Sequence, residues 1–282
     1  MKTRVIAGLC MAPLLAILYF GGWFLFTAWV LIALIGLSEF FNGWKNIDVK
    51  PSNIVGVAMT ALLVVVGFII VFVCRQDDAG LYEMYKVLPI VLLWLVVTIA
   101  ASMIYGWKID KRGPYDAIAT LTGLVYVVFF SFHLVLLDQL QTGHLFIWTV
   151  VLSAFGSDIF AYFTGMMFGK IKLAPNLSPK KTVEGSVGGI LGAGILCLIF
   201  GLIFARDYLL ACFIVGIVGG AVSQAGDLTA SAFKRKMGIK DYGKLIPGHG
   251  GIMDRFDSVI FVAPFVYYLV LFIVEPTVQY IP

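Results

Sequence analysis

Residues Asn53–Cys74 read NIVGVAMTALLVVVGFIIVFVC, 22 positions without one charged side chain. An α-helix needs roughly 20 apolar residues to cross the hydrocarbon core of a bilayer, and this run supplies them. Lipid offers no partner to backbone N–H and C=O groups, so a helix, which satisfies its own, is the conformation that this stretch can adopt there.

Eight further apolar runs lie on either side: Val5–Phe20, Trp23–Phe40, Val87–Tyr105, Tyr115–Leu137, Leu145–Phe168, Ser186–Ala205, Tyr208–Ala225 and Ile252–Val274. Of the 282 residues 61% are hydrophobic and 13% charged, against about 25% charged in soluble domains. That composition excludes a water-soluble globular fold. The expectation is an all-α, polytopic helical membrane protein with about nine transmembrane helices. The chain reads as one integral membrane domain, with N-terminal spans in 1–142 and the catalytic spans and their loops in 143–282. Gly21 and Gly22 break the first apolar stretch into two spans; one bent span there would give eight. Lys2 and Arg4 before an apolar run have the look of a signal peptide, but no small-x-small cleavage site follows, so the run reads as a first span.

With nine spans, Lys2 and Arg4 share a side with 14 loop cations between Lys45 and Lys244, 16 basic residues in all, while the other side carries Arg75, Lys86 and Arg206 together with six acids. The positive-inside rule makes the basic side cytoplasmic and puts the C-terminus outside. The two longest polar insertions, Gly169–Gly185 and Gly226–Gly251, fall on that cytoplasmic side, and function is expected beside them. Cys10, Cys74, Cys197 and Cys212 lie in or at the edge of apolar runs without metal spacing and read as packing residues.

Ionisable groups within apolar segments are costly and usually functional. Here they are Glu39, Asp158, Asp227, Asp254 and Asp257. Asp254 and Asp257 stand three residues apart where a helix resumes after Pro247, Gly248, Gly250 and Gly251, so both carboxylates can project from one face. Magnesium takes oxygen ligands and bridges one or two carboxylates to substrate phosphates; Asp227 is the third acid for such a site. On a continuing helix Asp227, Ser231 and Lys234 share a face, with Arg235 beside them. The competing reading is a structural ion network in which Asp254 pairs with Arg255 or Lys234. His133 and His144 have no ligand partner at metal spacing and read as structural. Glu39 reads as a residue that orients a cytoplasmic loop or pairs with a lysine.

From Ser231 to Asp257 the sequence is SAFKRKMGIKDYGKLIPGHGGIMDRFD, which brings cations, glycines and carboxylates together. This run resembles the signature of the phosphatidate cytidylyltransferase family through Ser231, Lys234, Arg235, Lys240, Asp241, Gly243, Pro247, His249, Gly250, Gly251, Asp254, Arg255 and Asp257. The preceding GDLTAS is similar too, and the resemblance implies that Asp227 is a metal ligand. Upstream, DIFAYFTGMMFGKIKLAPNLSPKKTVEG resembles the same family through Asp158, Ala161, Tyr162, Gly165, Gly169, Lys170, Ser178, Pro179, Lys181, Thr182, Glu184 and Gly185. For this segment the resemblance implies nucleotide and lipid-phosphate recognition. Met166 stands where relatives often carry a basic residue.

The resemblance implies an enzyme that transfers a cytidylyl group from CTP to phosphatidate, giving CDP-diacylglycerol and pyrophosphate in phospholipid biosynthesis. The attacking phosphate monoester, with a second pKa of about 6, needs no strong general base. The reaction needs in-line positioning and cancellation of charge, which metal ions and Lys or Arg supply. Asp227, Asp254 and Asp257 are the expected ligands of Mg2+, with a second cation left open. Lys234, Arg235, Lys240, Lys181 and Arg255 are the expected phosphate contacts. Asp158, Tyr162, Ser178, Thr182, Ser231, His249, Gly250 and Gly251 complete the expected substrate site. Expected partners are CTP, phosphatidate and the lipid bilayer, with no nucleic acid; a homodimer is left open. The expected location is a bacterial inner or plasma membrane, N-terminus and active-site loops cytoplasmic. A CTP-dependent lipid kinase would instead release CDP, and a cation or lipid-phosphate transporter would act without CTP turnover.

Overall fold

A computed structural model describes residues 15–73, 80–245 and 250–278. Among these residues eight helices are long and apolar enough to cross a membrane. They are α1 (Gly22–Lys45), α2 (Asn53–Phe72), α3 (Val87–Tyr105), α4 (Pro114–Asp138), α5 (Gly143–Phe168), α6 (Val183–Phe204), α7 (Arg206–Lys236) and α8 (Met253–Val274). The protein is therefore a polytopic helical membrane protein. Residues 15–20 are helical and stop at Gly21. Gly21 and Gly22 both have positive φ (56° and 49°), a conformation that glycine reaches without steric cost, and this is the break expected there. The first run, Val5–Phe20, lies mostly outside the described residues, as do Lys2, Arg4, Cys10, Cys74, Arg75, Pro247 and His249.

The helix ends differ from the apolar runs in an informative way. α7 continues 11 residues past Ala225, to Lys236, so Asp227, Ser231 and Lys234 do lie on one continuous helix. Helix α4 contains a π-helical stretch, Leu124–Phe129, and α8 another, Val270–Val274. The Gly169–Gly185 insertion is not a plain loop. It folds as an antiparallel hairpin of β1 (Lys172–Ala174) and β2 (Ser178–Thr182), with Lys172 opposite Thr182 and Ala174 opposite Ser178.

The chain divides into two compact units. The first comprises Met1–Val135 and Lys236–Arg255. Its core is aromatic: Trp29, Phe40, Phe41, Trp94 and Phe132 are each at most 2% exposed. The Trp29 indole donates to Ser131 Oγ at 3.0 Å and the Trp94 indole to the Met59 carbonyl at 2.8 Å. Each ring is thereby buried without leaving its N–H unsatisfied. Gly56 of α2 lets the Phe41 ring approach its backbone; a Cβ there would stand 2.7 Å from that ring.

The second unit comprises Leu136–Arg235 and Phe256–Pro282. Here close approach of helix backbones replaces large side chains, as suits packing in lipid, where apolar burial alone gives no drive. Gly216 on α7 fits against Ala193 and Cys197 of α6, and a Cβ would stand 2.8 Å from the Ala193 carbonyl oxygen. Gly226 fits against Phe261 of α8, 2.6 Å from a would-be Cβ. Cys197 and Cys212 are buried free thiols within this packing, as expected. Glu275, near the end of α8, accepts hydrogen bonds from the Thr142 backbone N–H (3.0 Å) and hydroxyl (2.8 Å).

Candidate active site

The site is clearest in the second unit. Helix α5 ends at Phe168, and the hairpin then returns the chain to the start of α6. The hairpin is clamped at its foot. Glu184, in the first turn of α6, accepts from the Lys170 N–H at 3.0 Å and the Ile171 N–H at 3.2 Å, while Val183 N–H donates to the Ile171 carbonyl at 2.9 Å. Thr182 is the N-cap of α6, its hydroxyl accepting from Gly185 N–H at 3.2 Å. A side-chain oxygen at this position satisfies one of the backbone donors that a helix start leaves unpaired.

Three glycines shared with the family signature surround that cap. A Cβ on Gly185 would stand 2.8 Å from the Ala161 carbonyl oxygen, and one on Gly169 would stand 2.8 Å from Thr182 Oγ1. The nearest group to a Cβ on Gly165 is again Thr182 Oγ1, at 3.0 Å. The glycines thus bring α5 and α6 close enough for the hairpin to seat. This is a packing role, distinct from direct contact with phosphate.

Once seated, the hairpin delivers Lys181 to α7, where its ammonium forms an ion pair with Asp227 Oδ2. Asp158 of α5 lies within electrostatic reach of both. Asp257, in the second turn of α8 and 8% exposed, accepts from Ser258 N–H at 2.8 Å and lies within electrostatic reach of Asp227, Asp158 and Lys234. Three carboxylates and two ammonium groups from α5, β2, α7 and α8 therefore share one region. Among the described residues no group of three or more His, Cys, Asp or Glu side chains is gathered as a metal site.

Beside the ion pair is a cavity of about 400 Å3, whose polar wall includes Asp158, Ser178, Lys180, Lys181, Thr182 and Gln224. Tyr162, Met166 and Leu173 also line it; Tyr162 and Met166 are exposed. A lining that combines charged and apolar side chains suits a ligand with a charged head and a hydrocarbon tail. Gln224 was not singled out from the sequence. Its amide donates to Ser157 Oγ (3.1 Å) and to the Ser186 carbonyl (2.9 Å), and its carbonyl accepts from the Ser186 hydroxyl. This buried network ties α5, α6 and α7 together at the cavity wall. A polar side chain in an apolar run was its one sequence signal.

Ser231 and Lys234 are half-buried on α7 and Arg235 is exposed near its end. The remaining candidates belong to the first unit. Asp254 Oδ2 accepts from Tyr242 N–H at 2.7 Å and Gly251 N–H at 3.0 Å, so this carboxylate ties the two residues together. Gly250 has φ +87° and its Cα lies against the Asp254 side chain. Lys240 is exposed and Arg255 half-buried. His133 is buried, with Nδ1 2.9 Å from the Phe129 carbonyl oxygen, in keeping with a structural role.

Apolar helices of membrane-spanning length around a cavity lined by Asp158, Lys180 and Lys181 are the features of a membrane enzyme that acts on an anionic substrate. Residues 2–273 match the Cytidylyltransferase family, and the chain belongs to that family. The phosphatidate cytidylyltransferase of Bacillus subtilis (strain 168) is 34% identical over 274 residues, 95% of this chain and 97% of the relative. That of Thermotoga maritima is 32% identical over 257 residues, covering 82% of this chain and 92% of the relative. That of Haemophilus influenzae is 42% identical over 130 residues, covering 44% and 45%.

Proposed function

We propose that the chain transfers the cytidylyl group of CTP to phosphatidate, forming CDP-diacylglycerol and releasing pyrophosphate. A phosphatidate oxygen attacks the α-phosphorus of CTP; the new P–O bond forms as the bond to the β-phosphate bridging oxygen breaks, and the electron pair leaves with pyrophosphate. The observation that carries this reading is the cavity whose lining brings Lys180 and Lys181 together with Tyr162 and Met166. Such a lining can hold a phosphate head against the cations with acyl chains against the exposed side chains of α5.

The acids present fit a divalent cation. Asp227 already holds one cation, the Lys181 ammonium, and an oxygen-only donor set is what Mg2+ prefers. Asp227 and Asp257 would hold the ion together with water and substrate phosphate. When bound, the ion lowers the cost of charge building on the departing pyrophosphate. Lys181 and Lys234 neutralise the same charge, and the hairpin clamp holds Lys181 in place without reorganisation. The reading further places the basic loops on the cytoplasmic side of a bacterial plasma membrane, where CTP is found; a second copy of the chain is its one open partner. The test is direct: purified protein in mixed micelles with phosphatidate, labelled CTP and magnesium yields CDP-lipid and pyrophosphate in equal amounts. CDP and a diphosphorylated lipid in their place would reject it in favour of a kinase.

A further inference from the structure

Glu39 lies in the apolar helix α1, where an acid is costly unless it has partners. Its partners are backbone groups 213 and 214 residues away: Oε1 accepts from Ile252 N–H at 3.2 Å and Oε2 from Met253 N–H at 2.9 Å. These are donors at the N-terminal end of α8, which have no acceptor within the helix and favour a negative charge. The preceding donor, Gly251 N–H, goes to Asp254, so three successive N–H groups are held by two carboxylates. Gly243 and Gly251 both lie directly against the Glu39 carboxylate, leaving no room for a Cβ on either. The neighbouring positions of α1 continue the contact. Phe40 packs on Tyr242 with ring centroids 6.0 Å apart, and Gly43 admits Met237.

We propose that Glu39 is a positioning residue for the reaction: by holding Ile252 and Met253 and filling the space between Gly243 and Gly251, it fixes these residues beside Lys240 and Asp254. The proposal rests on the cytidylyl-transfer reading. Glu39 touches no substrate in this scheme. Its contribution is that Gly243, Gly251, Ile252 and Met253 are held before substrate arrives, which removes an entropic cost from the reactive complex.

The experiment compares wild type with Glu39→Ala, Glu39→Gln, Gly251→Ala and the Glu39→Ala/Gly251→Ala pair in one micellar assay, with amide hydrogen exchange on the same samples. Losing two charge-assisted hydrogen bonds should lower kcat of Glu39→Ala about thirtyfold while KM for phosphatidate stays within about threefold. Glu39→Gln, which keeps one acceptor, should recover part of that loss. Exchange at Ile252 and Met253 should rise at least about tenfold in Glu39→Ala, with the other helices unchanged. Gly251→Ala attacks the same contact from the other side, so the pair should be no slower than its slower member. Normal turnover with normal exchange in Glu39→Ala overturns the proposal, as do multiplicative losses in the pair. If Glu39→Ala does not survive purification, Gly251→Ala and Glu39→Gln decide by the same two readouts. A wild type that makes no CDP-lipid would reject the reaction assigned above, while amide exchange would still decide whether Glu39 holds the segment.

Discussion

Replacing Lys181 by Met removes the ammonium and keeps most of the side-chain length. The Lys181 and Asp227 side chains are 24% and 28% exposed, between a surface pair worth up to about 1 kcal/mol and a buried pair whose disruption costs about 3–5. A loss of about 2 kcal/mol in stability follows, read as a fall in melting temperature in detergent. If Lys181 also contacts substrate phosphate, one charged hydrogen bond worth about 1.5–3 kcal/mol disappears, and kcat/KM for CTP should drop roughly 10- to 150-fold. The Lys181→Met/Asp227→Asn pair isolates the stability effect: with neither charge left unmatched, the melting temperature should return most of the way. Turnover of Lys181→Met within about threefold of wild type would refute a catalytic use of Lys181 and leave the ion pair a structural strut.

Asp227→Asn and Asp257→Asn should each lower turnover by about a hundredfold or more, and turnover of the wild type should vanish with a chelator and return with magnesium, as measured by pyrophosphate release. Asp254→Asn tests a different contact: because Asp254 Oδ2 accepts from Tyr242 and Gly251 N–H, amide exchange at those two residues should speed up. Gly185→Val should lower the melting temperature through a loss of about 1–3 kcal/mol, since a Cβ meets the Ala161 carbonyl oxygen and Thr182 Oγ1 at 2.8 and 2.9 Å. Cysteines at Lys180 and Asp207, at opposite ends of the 22-residue α6, should label from opposite sides of the membrane, Lys180 from the cytoplasmic side.

The spans were legible because lipid demands one signal, an unbroken apolar run, and the sequence delivers it from Trp23 to Val274. What that signal cannot give is a helix that continues after its residues turn polar, as α7 does through Asp227 and Lys234. There the side-chain spacing of the acid and the cation was the better guide. The hairpin was not legible: Lys172–Ala174 and Ser178–Thr182 are short and lack apolar alternation, and they are held by Glu184, Thr182 and close-packed glycines. Gln224, Ser157 and Ser186 were hidden for the opposite reason, since isolated small polar groups in membrane helices resemble packing residues until their partners on other helices are seen. Asp158, Asp227 and Asp257 were recognisable as costly acids. The backbone donors that hold Asp254 were not, because hydrogen bonds from N–H groups leave no trace in residue type.

The bond between Glu39 and the start of α8 also bears on biogenesis. A ribosome that has delivered α1 to the membrane has inserted a carboxylate whose acceptors' partners, Ile252 and Met253, will not be synthesised for more than 200 residues. The hairpin foot, in contrast, joins Lys170 to Glu184 across 14 positions and can close as soon as α6 emerges. Assembly should therefore run out of chain order, the second unit's hairpin maturing while Glu39 is still without its native partners. A chain stopped before Ile252 would hold α1 to α7 and yet lack the contact that Glu39 makes with the start of α8.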